Sequence, residues 1–142
     1  VKSLILKETM GEAAGEEGIE IRSPGFAANS RLALEASEFA KTVGHFEAFH
    51  YAVYEAYFGE GRNIGKPDIL ISIGERAGID RKALADSLER RTMRQAVESN
   101  ESEAAKYTVL GVPTFMLGSF PVHGCQLLET MRAMIERALS RL

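Results

Sequence analysis

From Leu32 onward apolar side chains fall at 32, 33, 36, 39, 40 and 43, a spacing that places one stripe along a helix. Asn29 or Ser30 supplies an N-cap before it, and Gly44 ends it. The run Phe46 to Phe58 continues as a second helix rich in rings, and GEGRNIGKP (59–67) breaks it. Asp68 is expected to cap a third helix through Ile69, Leu70, Ile73 and Ala77, closed by Gly78. Asp80 caps a fourth through Ala83, Leu84 and Leu88, and a fifth covers roughly Met93 to Leu110. Gln126 to Leu142 is a terminal amphipathic helix with Leu127, Met131, Met134, Ile135, Ala138 and Leu139 expected inward. At the other end, Val1 to Met10 reads as helical, GEAAGEEG (11–18) as a loop and Gly18 to Arg22 as a short alternating strand stopped by Pro24-Gly25.

The stretch GVPTFMLGSFPVHGCQ (111–126) follows a different rule. Thr114 to Leu117 and Phe120 to Gly124 are apolar strands, and Gly118-Ser119 between them suits a two-residue type II′ turn with glycine first. That turn pairs Leu117 with Phe120, Phe115 with Val122 and Pro113 with Gly124. Pro121 has no amide donor, so the second strand belongs at a sheet edge. Cys125 then lies near Pro113 and at the first turn of the last helix. The whole is α+β and mostly helical.

Composition narrows the function classes. The chain has 142 residues, the size of one domain. With 17 basic and 20 acidic residues, net charge −3, it carries no basic block that would suggest nucleic acid or an anionic membrane as partner. No apolar run reaches bilayer-spanning length, and VKSLILKETMGEAAGEEG is not expected to act as a signal peptide. One cysteine excludes an internal disulfide and any CxxC site in these residues. A reducing cytoplasm is the expected setting.

Gly111-Val112-Pro113-Thr114-Phe115, a short hairpin, then Gly124-Cys125-Gln126 and a helix, resembles the C-terminal part of DsbA-like thioredoxin-fold proteins. NSRLALEASEFAK (29–41), FEAFHYAVYEAYFGEGRNIG (46–65) and the helix between Asp68 and Asp80 resemble the helical insertion of the FrnE-type branch. The resemblance implies one partial thioredoxin-like domain over 1–142, with the insertion at about 29–110 and a cis-proline hairpin plus final helix at 111–142. It implies a cis Val112–Pro113 bond, with Val112, Pro113 and Thr114 gripping an extended protein or peptide thiol or disulfide substrate. No cofactor is implied. The family's first strand, its CxxC helix and the next parallel strand are expected to precede Val1. These residues are therefore expected to be redox-incompetent alone. The sheet edge left open suggests a homodimer. Two rivals are a relative of glutathione-dependent hydroxychromene-carboxylate isomerases and a non-catalytic peptide-binding module.

Other residues invite chemistry. Cys125 is a candidate reactive thiol beside His123, but a small buried filler is the preferred reading. His45, Glu47 and His50 could suggest a metal, yet the i, i+5 spacing of the histidines does not align them on a helix face, and no metal is expected. The rings from Phe46 to Phe58 read as core rather than ligand pocket. Glu60 to Ile64 lacks the glycine spacing and lysine of a phosphate loop and reads as a solvated turn. Glu89-Arg90-Arg91 and Arg94 read as a charged helix face.

Overall fold

The computed structural model describes residues 25–109 and 111–140, with Gly15 and Gly18. The helix expected at Val1 to Met10 and the strand expected at Ile19 to Arg22 lie outside the described residues. The chain divides into two compact units, residues 1–97 and 98–142.

The first unit is helical. Helix α1 spans Arg31–Thr42, and α2 spans Phe46–Tyr54. Asn29 Oδ1 accepts from the Arg31 amide at 3.0 Å, so the helix start is held by the residue before the N-cap position. Helix α2 does not continue regularly to Phe58. It widens into a π-helical turn at Glu55–Gly59, closed by Glu60 N–H donating to Glu55 O at 2.9 Å. Helix α3 spans Pro67–Arg76 and α4 spans Arg81–Arg90. Asp68 sits in the first turn of α3 rather than at its cap; Lys66 holds that place with extended backbone. The reason is Pro67, whose fixed φ and missing N–H suit the first helical position and pull the start two residues earlier. Asp80 does cap α4, its Oδ1 accepting from the Ala83 amide at 2.7 Å.

The core of this unit is small against large. Ala33, Ala36 and Ala40 of α1 are buried in one cluster with Phe49 and Val53 of α2, Leu70 and Ile73 of α3, and Leu84 and Leu88 of α4. Burying each of the larger aliphatic or aromatic chains is worth about 1.5–3 kcal/mol. Gly74 lets α3 approach α4: a Cβ there would collide with Leu84 Cδ2. Helix α5 spans Arg94–Lys106, shorter than the expected 93–110, because Thr108 turns into the left-handed region at φ 56°.

The second unit carries the sheet, two antiparallel strands: β1, Thr114–Leu117, and β2, Phe120–His123. The register is Thr114 with His123, Phe115 with Val122, Met116 with Pro121 and Leu117 with Phe120. This is the pairing that a Gly118-Ser119 turn dictates. Gly118 takes φ 63°, open to glycine at low cost, while Ser119 is not among the described residues with positive φ. The strand pairing continues past β2 through Gly124 N–H donating to Pro113 O at 2.8 Å. The Val112–Pro113 peptide bond is cis.

Helix α6 spans Leu128–Leu139, not Gln126 to Leu142. Its expected inward face is not buried: Leu127 is 80% and Leu139 63% exposed, and no described residue of α6 is buried. A two-stranded sheet has too little apolar face to cover an amphipathic helix.

Candidate functional site

The hairpin entrance gathers Val112, Pro113 and Thr114. Val112 is 92% exposed, and its backbone N–H and C=O have no hydrogen-bond partner among the described residues. Thr114 Oγ1 donates to Gly111 O at 2.7 Å, which ties the turn ahead of the strand. The hydroxyl has one proton, so toward His123 Nδ1, 3.2 Å away, it accepts. Gln126 Nε2 donates to His123 O at 2.9 Å. Together these bonds brace the hairpin entrance beside the exposed backbone of Val112.

Cys125 is exposed, which overturns the preferred reading of a buried filler. It is also outside the first turn of α6, since Leu127 holds the N-cap place with extended backbone. Gln126 folds back on His123 instead of starting the helix. The favourable potential of a helix N-terminus fades beyond its first turn, so that support for a reactive thiol is lost as well.

In the helical unit the structure corrects the reading of Arg91. Its side chain is 41% exposed, but its guanidinium serves a buried partner rather than solvent alone. Arg91 occupies the C-cap of α4 in the left-handed region, φ 55°. From there Nε and Nη2 donate to the two carboxylate oxygens of Glu35 at 2.7 and 2.6 Å. Glu35 is 2% exposed. Arg31 Nε lies 3.7 Å from the same carboxylate. The hydrogen bond from Arg91 holds the Glu35 carboxyl below the usual carboxylate range. Burial opposes it, and the charges of Arg91, Arg31 and Arg94 reinforce it. The sequence holds one signal of this pair: Glu35 falls beside the small apolar stripe of α1, and a buried carboxylate needs a fork of donors.

The remaining candidates separate. His45 lies against Gly78. His50 stacks on Phe46, with ring centres 5.0 Å apart, and Glu47 is exposed. Among the described residues no group of three or more His, Cys, Asp or Glu could hold a metal ion. The core reading of the aromatic run holds for Phe49, fully buried, and fails for Tyr51 and Tyr54, 74% and 52% exposed. The Glu60–Ile64 turn is only partly solvated, because Ile64 is buried in the helical core.

A helical unit followed by a hairpin and an amphipathic helix is the class of protein now defined, and the sequence bears it out: residues 1–136 match the DSBA-like thioredoxin domain, and the chain belongs to that family. It is 31% identical over 129 residues to YwbO, an uncharacterised protein of Bacillus subtilis (strain 168), across 87% of this chain and 63% of that protein. In fold it is similar to a probable DsbA oxidoreductase of Streptomyces coelicolor, with a TM-score of 0.81 at 22% identity, over 99% of this chain and 62% of that structure. The chain thus spans a little under two thirds of the length of each. Among the described residues no helix is long and apolar enough to cross a membrane.

Proposed function

We propose that these residues form the helical and substrate-gripping part of a thiol–disulfide oxidoreductase of the FrnE-type branch, acting on protein or peptide thiols and disulfides. Val112, Pro113 and Thr114 hold the substrate as an added extended strand. The observation that carries this reading is the unpartnered, exposed backbone of Val112 at the mouth of a braced hairpin, the arrangement that pairs with a peptide through main-chain hydrogen bonds. Disulfide exchange needs an attacking thiolate, a mixed disulfide and a second thiol to resolve it. With one cysteine these residues cannot complete that cycle. The reading therefore requires a dithiol from outside these residues, and its proposed setting is the cytoplasm.

The test is peptide binding and turnover measured side by side. An extended cysteine-containing peptide should shift the Val112 and Thr114 amide resonances of this chain, and Val112→Pro, which deletes the N–H, should weaken binding several-fold. Dithiol oxidation should not rise above background. Sustained dithiol turnover by this chain, or binding indifferent to Val112→Pro, overturns the proposal. Glutathione-dependent isomerisation of an aromatic substrate would favour the isomerase relative instead, and an upstream coding region without a CxxC would favour the plain peptide-binding module.

A further inference from the structure

Along one face of the α1–α2 hairpin runs an open groove of about 240 Å³. Its floor is buried and apolar, with Ala33, Val53 and Ile64 each under a tenth exposed. Leu34 and Tyr54 stand at its rim, each about half exposed.

The wall is built of rings. His50 and Tyr54 meet edge-on with centres 4.8 Å apart, and Tyr54 and Phe58 stack at 5.8 Å. Tyr57 meets Phe58 edge-on at 4.8 Å. Consecutive residues of an α-helix diverge by about 100°, yet Tyr57 and Phe58 line the same groove. The π-helical turn over Glu55–Gly59 contains both, and turns of this kind recur at functional sites. Tyr57 is further held by its hydroxyl, which donates to Phe26 O at 3.2 Å. The wall is thus set before anything binds.

The chemistry of the lining restricts the occupant. Among the described residues no Asp, Glu, Lys or Arg lines the groove, so against these side chains an ion would lose water without gaining a counter-charge. Ser37 Oγ already donates to Ala33 O at 2.9 Å and can only accept from a ligand. The His50 ring and the Tyr54 hydroxyl add further hydrogen-bonding capacity. The volume falls below the ~300–1,000 Å³ of pockets for drug-sized ligands, so one ring or a fused pair fills it. We infer that this groove binds a neutral, planar aromatic molecule of one or two rings bearing one hydrogen-bond donor, of phenol or indole type. This site is independent of the thiol–disulfide reading and of the Val112 backbone.

The probe is 2-naphthol. The chain has no tryptophan and four tyrosines, two of which line the groove. Bound naphthol should therefore quench tyrosine emission saturably and shift the His50 ring-proton resonances. Calorimetry should show affinity falling by about tenfold or more in Leu34→Trp, which fills the rim from an exposed position, and in Tyr54→Ala, which removes a wall ring. Circular dichroism checks that each variant remains folded. The charged analogue 2-naphthoate should also bind about tenfold more weakly. Absence of saturable binding, unchanged His50 resonances, or native affinity retained in both variants overturns the inference, and naphthoate binding as tightly as naphthol overturns its neutral-ligand part.

Discussion

Glu35 is the residue whose protonation matters most to the helical unit. Its folded-state pKa is depressed by the Arg91 hydrogen bonds, so the pair contributes stability above the ordinary glutamate value of 4.5. That contribution is lost as pH falls through the lower folded-state value. Urea midpoints followed by circular dichroism should therefore drop on acidification in the native chain and drop less steeply in Glu35→Gln. Arg91→Ala removes the bidentate fork and leaves a carboxylate buried, with the charges of Arg31 and Arg94 remaining near it. It should destabilise by about 2–3 kcal/mol, less than breaking a fully buried pair, because the Arg91 side chain is 41% exposed. Glu35→Ala should cost less, because the Arg91 side chain, 41% exposed, regains water. Equal midpoints for Arg91→Ala and the native chain would show that the pair does not hold the helices. Gly74 makes the complementary point. Leu84 is fully buried and cannot yield to a new methyl, so Gly74→Ala should cost about 1–3 kcal/mol by overpacking, read from the same unfolding curves.

At the scale of elements, local signals placed most boundaries, and the exceptions have local causes. Asp80 caps α4 through a hydrogen bond to the Ala83 amide, and Asp80→Ala should lower the unfolding free energy by about 1 kcal/mol, with Asp80→Asn nearly neutral. Asp68 has the same side chain but makes no such cap, since the proline before it starts the helix. Asp68→Ala should accordingly cost only a few tenths of a kcal/mol, roughly the interaction of one charge with the helix dipole. A thermal-melt comparison of the two alanine variants separates the cases. The hairpin register was readable because a two-residue turn with glycine first admits one pairing. The π-helical turn in the aromatic run left no mark in the residue pattern, since Tyr54, Tyr57 and Phe58 fall at α-helical spacing as well.

Across the whole molecule, burial is uneven. The core cluster lies between Ala33 and Leu88; in the second unit Val122 is the one buried apolar residue among those described. Amide hydrogen exchange should therefore show strong protection in α1, α2, α3 and α4 and much faster exchange in β1, β2 and α6, because local opening there exposes little further apolar surface. Uniform protection across both units would contradict this. The exposed faces of α6 and the hairpin, with apolar Met116, Phe120 and Leu139 open to water, also motivate the proposal of self-association. Light scattering at micromolar concentration should give the mass of a homodimer, and a monomer at that concentration rejects it.

Periodicity, glycine and proline positions and the Gly118-Ser119 turn were enough to state the helices, the hairpin and its register, and the quoted GVPTF segment with the helical stretches was enough to indicate the family. These are properties of residues near one another in the chain, where spacing maps directly onto a face or a turn. The partner of Glu35 lies 56 positions away, and only packing of α1 against the end of α4 brings Arg91 to it. Packing likewise decided that Phe49 is core while Tyr54 faces a groove, because both satisfy the same helical spacing. The exposure of Cys125 was decided in the same way: the side chain of Gln126 turned back to the carbonyl of His123 and delayed the helix, a competition between one hydrogen bond and one helical turn that no pattern of apolar and polar positions encodes.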